Sequence, residues 1–180
     1  MSKKLDKILN LFLTGSYSKF NVREVARLTK LSPSTASKYL NRLVEKDILK
    51  KVAERNYILY SADTESEQFR DLKIYHNIKR IRLSGVIDFI EKEFNYPEAI
   101  LLFGSFAKGE NRKESDVDLF ILSESEQRLE LEPFEKKLEA KIQILLYTRR
   151  DVEKMKKSNK ELLNNIINGI TLSGFFEVFK

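Results

Sequence analysis

The first thirty residues place apolar side chains at helical spacing. Apolar residues at positions i, i+3, i+4 and i+7 predict an amphipathic first helix that ends at Gly15. These apolar residues are Leu5, Ile8, Leu9 and Phe12. A second helix is predicted to begin at Asn21, because Asn21 and Glu24 have the spacing of a capping box. We expect this second helix to end near Lys30.

A third helix and a β-hairpin are predicted to follow. Ser32 is the predicted N-cap and Pro33 occupies the first helical position. The predicted buried stripe of this helix consists of Ala36, Leu40, Leu43 and Val44. The opposite face carries hydroxyl and basic side chains, which are Ser34, Thr35, Ser37, Lys38 and Arg42. Two alternating runs then flank Glu54-Arg55-Asn56, a pattern that predicts a β-hairpin.

Residues 62–95 consist of a polar segment followed by a longer stretch with helical spacing of apolar residues. After the polar segment SADTESEQ, apolar positions at helical spacing predict one or two helices, with a bend near Ser84 and Gly85. His76 lies in this stretch without another metal-ligand residue type at helical spacing. We therefore interpret His76 as a packed or surface histidine and residues 62–95 as a helical connector.

Beyond Pro97, predicted strands alternate with predicted helices. The strand EAILLFGS ends at a glycine, and the polar segment FAKGENRKES leads to the strand DVDLFIL. We expect helix over much of Glu124 to Ala140, with Pro133 interrupting or restarting it. The run KIQILLYT predicts a third strand, residues 149–169 predict helix, and ITLSGFFEVF predicts short strands around Gly174. This alternation indicates an α/β domain from about residue 96 to the end of the sequence.

The net charge of +6 is distributed unevenly along the sequence. Residues 1–60 contain thirteen Lys/Arg against five Asp/Glu, a net charge of +8. The remaining residues contain twenty Lys/Arg against twenty-two Asp/Glu, a net charge of −2. A basic segment attracts phosphate backbones through counterion release, although a soluble surface can carry the same charge.

The composition excludes several classes of chemistry. Without cysteine there are no disulfides and no thiolate catalysis, and with His76 as the one histidine there is no multi-histidine metal site. Any metal ion must therefore be held by oxygen ligands. No apolar run approaches the length needed to span a bilayer, and the first residues lack a small-residue cleavage site. We expect a cytoplasmic protein that does not associate with a membrane.

Three predicted helices and a hairpin within about sixty residues resemble the winged helix-turn-helix domain of prokaryotic transcription regulators. The resemblance implies that residues 1–61 form an α+β domain that binds double-stranded DNA. It implies that the DNA contacts come from the recognition helix and the wing tip, through Ser34, Thr35, Ser37, Lys38, Arg42 and Arg55. Because such regulators commonly read two half-sites as dimers, we expect a homodimer. The alternative is a winged domain that serves only dimerisation or protein contacts.

The stretch LFGSFAKGENRKESDVDLFIL carries the candidate chemistry. Because side chains alternate along a strand, Asp116 and Asp118 project from the same face and are close enough to bind one hard cation. Two like charges at this distance are unfavourable unless a cation compensates them. A strand end with two solvated aspartates is the alternative. Gly104 lets the chain turn tightly, so that backbone N–H groups and the Ser105 hydroxyl can approach a phosphate.

The order Phe103-Gly104-Ser105, about ten residues, then Ser115-Asp116-Val117-Asp118 resembles the signature of the polymerase-beta-like nucleotidyltransferases, especially their minimal members. Ala107 and Gly109 extend the match, and the later NGITLSG resembles the end of the family's domain. The resemblance implies an α/β nucleotidyltransferase fold with a small mixed sheet over residues 96–180. It also implies transfer of a nucleoside monophosphate from a nucleoside triphosphate to an acceptor, with release of pyrophosphate.

Residue roles are implied by the same resemblance. Asp116 and Asp118 would be the catalytic residues and would hold Mg²⁺, with two ions possible. Gly104 and Ser105 would bind the β- and γ-phosphates, while Lys108 and Arg112 would neutralise phosphate charge, although loop cations are usually solvated. The nucleotide-binding set implied by the motif is therefore Gly104, Ser105, Lys108, Arg112 and Ser115.

The sequence departs from the family pattern at one position. Active members commonly carry a third carboxylate on the following strand, and the corresponding position here is Gln143. A neutral amide ligates a cation weakly and cannot act as a base. Glu135 or Glu139 could instead reach the site from the preceding helix. Nucleotide binding is therefore expected, whereas catalysis is left open.

Three functions remain compatible with the sequence. The leading interpretation is a DNA-binding transcriptional regulator whose second domain binds Mg²⁺-nucleoside triphosphate, with transfer of the nucleoside monophosphate to an unknown acceptor left open. The first alternative is a nucleotidyltransferase of the antitoxin type, which modifies a protein partner. The second alternative, motivated by Gln143, is a catalytically inactive nucleotide sensor.

Overall fold

The computed structural model describes residues 3–54 and 57–178. Its internal contacts divide the chain into two compact units, Met1–Lys73 and Ile74–Lys180. No helix among the residues described is both long enough and apolar enough to span a bilayer.

The N-terminal unit consists of helices packed with a small antiparallel sheet. Its elements are α1 (Lys3–Thr14), β1 (Lys19–Phe20), α2 (Val22–Thr29), α3 (Pro33–Val44), β2 (Leu49–Glu54), β3 (Tyr57–Ala62) and the first part of α4 (Glu67–Ser84). Over the described residues the strand order is β1-β3-β2, and both pairings are antiparallel. The predicted helices and hairpin are confirmed, whereas β1 was not predicted. Arg55 and Asn56 of the predicted turn lie outside the described residues.

Local capping explains where α2 and α3 begin. The Asn21 side chain accepts a hydrogen bond from the Glu24 amide at 3.0 Å, and the Glu24 carboxylate accepts one from the Asn21 amide at 2.8 Å. This is the predicted capping box. Ser32 caps α3 by accepting a hydrogen bond from the Thr35 amide at 3.2 Å, and Pro33 follows at the first helical position.

The C-terminal unit contains a mixed sheet flanked by helices. Its elements after α4 are α5 (Val86–Glu93), β4 (Ala99–Phe103), α6 (Gly104–Lys108), β5 (Val117–Leu122), α7 (Glu132–Leu138), β6 (Ile142–Tyr147), α8 (Arg149–Ser158), α9 (Lys160–Ile167) and β7 (Ile170–Gly174). Over the described residues the strand order is β6-β5-β4-β7. The β5–β6 pair is parallel and the other two pairs are antiparallel, so the predicted small mixed sheet is confirmed.

Both faces of this sheet are covered. Val117, Leu119 and Ile121 pack into one apolar cluster with residues of α4, α5 and α7. Phe120 and Leu122 pack on the other face with residues of α8 and α9. Because side chains alternate along β5, Asp118 lies on the face that α8 and α9 cover. Alternation along this strand predicts that Val117, Leu119 and Ile121 point to the core. This prediction was too narrow, because helices cover both faces of the sheet and almost the whole strand is apolar.

Several predicted boundaries were wrong. Residues 124–131 are not helical, and α7 begins only at Glu132, where Pro133 occupies an early helical position. The predicted helix over 149–169 is divided at Asn159, which ends α8 and caps α9. The short α6 stands where a polar loop was expected, and β7 is the one strand described after residue 169. The bend predicted near Ser84 and Gly85 is present, with Gly85 at a φ of 83°.

Candidate functional site

The two aspartates lie at one end of the sheet of the C-terminal unit. Asp116 is exposed and directly precedes β5, while Asp118 is half-buried within it. Asp118 pairs with Phe103, the last residue of β4. The chain then turns into α6 at Gly104, which has a φ of 69°. The motif therefore converges in space, with the glycine turn beside the second aspartate.

Gly104 lies against the carboxylate of Asp118. A Cβ atom built on Gly104 would overlap an oxygen of that carboxylate and would lie 3.2 Å from its Cγ. The positive φ of Gly104 is a second reason for glycine at this position, since side chains other than glycine's are strained there. This contact and the positive φ together explain the glycine at the start of α6.

The electrostatics of the pair favour a cation. Burial raises the pKa of the Asp118 carboxyl, and the nearby charge of Asp116 raises this pKa further. Both effects disfavour the ionised form of Asp118 in the absence of a compensating positive charge. Asp116 and Asp118 are thus the residues of this site that could hold a metal ion through carboxylate oxygens.

A tight turn sets the position of Asp116. The backbone amide of Arg112 donates to the Ser115 hydroxyl at 2.9 Å, and the Ser115 amide donates to the Arg112 carbonyl at 3.2 Å. Ser115 is half-buried, whereas the Arg112 side chain is exposed. In this structure Ser115 therefore holds the loop that delivers the first aspartate.

Asn77 and Asn111 were missed by the sequence analysis. Asn77 is fully buried in α4, and its side-chain amide donates to the Phe106 carbonyl at 2.9 Å and to Asn111 Oδ1 at 2.7 Å. These bonds tie α6 to the loop that precedes the aspartates. The one signal in the sequence was a polar residue on the apolar side of a predicted helix, which does not identify a partner 34 residues away.

Gln143 lies beside Asp118 on the neighbouring parallel strand. The two residues are paired in the β5–β6 register, so their side chains share a face of the sheet. Gln143 is exposed. It offers a neutral amide oxygen at the position that corresponds to the third carboxylate of the family pattern. Among the described residues, no group of three His, Cys, Asp or Glu could hold a metal ion.

Glu135 and Glu139, the two candidates for a third carboxylate, do not join the aspartates in a metal cluster. Glu135 accepts hydrogen bonds from the Ile142 amide at 3.0 Å and from Lys141 at 2.9 Å. These two bonds lower the pKa of the Glu135 carboxyl, with the amide contributing most. Glu139 ends α7 with a φ of 52°. Both glutamates line a concavity of about 360 Å³ together with Asp116, but neither completes a metal cluster with the aspartates.

Lys108 faces a different concavity from the one at Asp116. It lines a depression of about 670 Å³ together with the polar side of α9. The C-terminal end of α9 is held close to β4, because a Cβ atom on Gly169 would lie 2.5 Å from the Leu102 carbonyl oxygen. The predicted phosphate-binding residues are therefore distributed over the glycine turn, the Ser115 loop and the α9 side of α6.

In the N-terminal unit, three of the predicted DNA-contacting residues follow one line along α3. Ser34, Lys38 and Arg42 are four residues apart and are all exposed. Thr35 and Ser37 are half-buried at the sides of this line. The hydroxyls of Ser34 and Thr35 lie within hydrogen-bond distance of the Ser32 hydroxyl, at 3.1 and 2.8 Å. Arg55, predicted at the wing tip, lies outside the described residues.

The comparisons with family models agree with this architecture. Residues 84–174 match the family described as polymerase beta, nucleotidyltransferase, and the chain belongs to this family. Residues 8–95 match the penicillinase repressor family. The chain thus joins an N-terminal winged helix to a nucleotidyltransferase domain, as predicted. The two matched ranges overlap over residues 84–95, which run from the last residue of α4 through α5 to the turn that follows.

Solved structures give weaker similarities. A crystal structure of RV1404 from Mycobacterium tuberculosis is 17% identical over 51% of this chain and 60% of that chain, with a TM-score of 0.37. A structure of a ZitR mutant from Lactococcus lactis is 16% identical over 49% of this chain and 60% of that chain, with a TM-score of 0.36. The aligned part therefore spans less than two thirds of either protein. No curated protein matches the chain significantly.

The raised pKa of Asp118 makes a prediction for stability. Because burial and Asp116 disfavour the charge on Asp118, Asp118→Asn should stabilise the fold at pH 7, by no more than about 1 kcal/mol after solvent screening. The gain should disappear as the pH falls through the pKa of folded Asp118, since the wild-type carboxyl then becomes neutral as well. Urea denaturation of both proteins between pH 3 and 7 measures this. A variant that is less stable than the wild type at pH 7 would contradict the assignment.

Proposed function

We propose that the protein is a DNA-binding transcriptional regulator whose C-terminal unit binds a Mg²⁺-nucleoside triphosphate. The observation that carries the nucleotide half is the contact between Gly104 and the Asp118 carboxylate, in a chain that belongs to the nucleotidyltransferase family. This contact brings a turn suited to phosphate and a pair of carboxylates suited to a divalent cation to one edge of a sheet.

The residues at this edge fit a nucleotide-bound magnesium ion. Mg²⁺ is commonly held by one or two carboxylates together with substrate phosphates and water. Asp116 and Asp118 provide two carboxylates. A bound cation would lower the pKa of Asp118, which burial and Asp116 raise. A bound Mg²⁺ would neutralise triphosphate charge at this site. A second ion would lack a third carboxylate among the described residues.

The remaining roles belong to side chains and amides around this edge. We propose that the Ser105 hydroxyl and the backbone at Gly104 bind the terminal phosphates, and that Lys108 and Arg112 contribute positive charge. Ser115 orients the first aspartate through its turn with Arg112. Gln143, next to Asp118, accepts no proton from an acceptor hydroxyl, because an amide is not a base at neutral pH.

For the N-terminal unit we propose that α3 enters the major groove. Ser34, Thr35, Ser37 and Lys38 lie near its first turns, and Arg42 lies further along the exposed face. Arg55 remains part of this proposal as a wing contact. The net charge of +8 over residues 1–60 supports a polyanionic partner. We propose that the protein forms a homodimer that reads two half-sites. We also propose that it is located in the cytoplasm.

A nucleotide sensor without turnover is the candidate that Gln143 favours over an enzyme. The pairing of Gln143 with Asp118 puts a neutral group at the position where a carboxylate would assist deprotonation of the acceptor. Transfer of a nucleoside monophosphate to a protein acceptor, as in an enzyme of the antitoxin type, is the competing candidate. The two differ in whether the triphosphate is consumed.

The DNA-binding proposal predicts a charge-dependent interaction. Lys38→Gln should weaken binding to a mixed-sequence duplex up to about tenfold and reduce the slope of log K against log salt by about 1. Fluorescence anisotropy at several salt concentrations measures both quantities. Lys7→Gln, on the exposed side of α1, is the matched control and should change neither. Binding that is absent or independent of salt would refute the proposal.

The nucleotide proposal predicts binding that requires both the metal ion and the aspartates. In calorimetric titrations, ATP or GTP should bind in the presence of Mg²⁺, and Asp116→Asn with Asp118→Asn should weaken this binding at least about tenfold. Glu114→Gln removes a carboxylate from the same loop and should leave the affinity unchanged. Equal affinity of the wild type and the double variant would exclude this site.

The sensor candidate predicts no group transfer. With Mg²⁺ and a triphosphate labelled at the α-phosphate, the wild type should label itself, duplex DNA and proteins of a cell extract no more than the double aspartate variant does. Gln143→Glu should raise the labelling, because it supplies a carboxylate beside Asp118. Aspartate-dependent labelling by the wild type would instead establish the enzyme.

A further inference from the structure

The N-terminal unit contains a cavity that the proposed function does not use. Its volume is about 440 Å³, within the range typical of sites for small organic molecules. The cavity lies between α1, the C-terminal half of α3 and the early part of α4. Its apolar wall consists of Leu5, Leu9, Leu43, Ile48 and Leu72, and the aromatic side chain of Tyr39 also lines it.

Two cations lie at this apolar wall. Arg42 and Lys46 line the cavity, are four residues apart and are both exposed. The lining includes no Asp or Glu. Within the described residues, neither cation forms an ion pair, although Glu45 and Asp47 flank Lys46 in sequence. An apolar wall beside two unpaired cations matches a ligand with an apolar body and an anionic head.

We propose that this cavity binds a small amphipathic organic anion, a carboxylate with an aliphatic or aromatic body. The body lies against the leucine and isoleucine side chains of the wall, and the carboxylate pairs with Arg42 and Lys46. Burial of the body supplies most of the affinity, while the two cations select the anion over a neutral molecule with the same body.

The charge of the cavity argues against a second copy of this chain as its occupant. A copy that covered the cavity would place its surface over Arg42 and Lys46 and would have to supply carboxylates, because burying unpaired cations is costly. The cavity is also bounded by three elements, so that a narrow ligand fills it better than a flat protein surface does.

Arg42 connects this site to the proposed DNA contacts. It ends the line of exposed residues that begins with Ser34 and Lys38 on α3, and it also lines the cavity. A carboxylate paired with Arg42 removes a positive charge from the face proposed to meet DNA. The ligand and DNA therefore weaken each other's binding by the same factor, about tenfold. This second step rests on the proposed DNA binding, whereas the ligand site itself does not.

The ligand site is tested by calorimetric titration of the full chain with octanoate. Octanoate should bind saturably, while 1-octanol, with the same body, and acetate, with the same head, should bind at least about tenfold more weakly. Arg42→Gln and Lys46→Gln should each weaken octanoate binding, whereas Lys38→Gln, on the same helix but outside the cavity, should not. Equal binding of octanoate and octanol, or octanoate binding unchanged in both cavity variants, would overturn the proposal.

The alternative occupant is tested by sedimentation of the same proteins. If a second copy covers the cavity, Leu5→Glu dissociates a dimer and the wild type binds no octanoate, which would overturn the proposal.

The coupling between the ligand site and DNA binding is tested with duplex DNA. Saturating octanoate should weaken duplex binding by the wild type. Lys46→Gln should bind the duplex normally and lose the octanoate effect. If the wild type binds octanoate but not DNA, the ligand site stands and the proposed DNA binding fails.

Discussion

The close contact between Gly104 and the Asp118 carboxylate is the constraint on which the candidate site depends. It requires a residue without a side chain at the end of β4, and the positive φ of Gly104 requires the same residue type. It also requires antiparallel pairing of β4 with β5, which places Asp118 opposite Phe103. The hydrogen bonds of Asn77 and of Ser115 then hold α6 and the intervening loop around this contact.

The site is electrostatically unfavourable without a ligand, which is typical of residues kept for function rather than for stability. Burial and a neighbouring carboxylate both raise the pKa of Asp118, while the neighbour on the parallel strand is the neutral Gln143. Two carboxylates suffice to hold a nucleotide-bound cation, whereas proton removal from an acceptor requires a base. The residues of this site therefore fit nucleotide binding better than they fit group transfer.

Much of this fold could be predicted from the sequence because its signals are local. The capping box at Asn21, the N-cap at Ser32 and the glycine and aspartates of the motif all act over a few residues. The wrong expectations concern features set by tertiary contacts. The buried Asn77 depends on a partner 34 residues away, and β5 is apolar on both faces because helices cover both. The charged segment 124–131 consists mostly of residues that a helix tolerates, but it lacks a continuous apolar stripe. Without such a stripe, packing against the core does not stabilise a helix there.

In the proposed function, Asp116, Asp118 and the Gly104–Ser105 turn together hold a metal-bound triphosphate. The decisive measurement is a crystal structure of the full chain with Mg²⁺ and a non-hydrolysable nucleoside triphosphate. We expect Mg²⁺ at about 2.0–2.1 Å from carboxylate oxygens of the aspartates, with the terminal phosphates at the amides of the turn. An ordered nucleotide bound elsewhere, or one whose metal ion contacts neither aspartate, would contradict it.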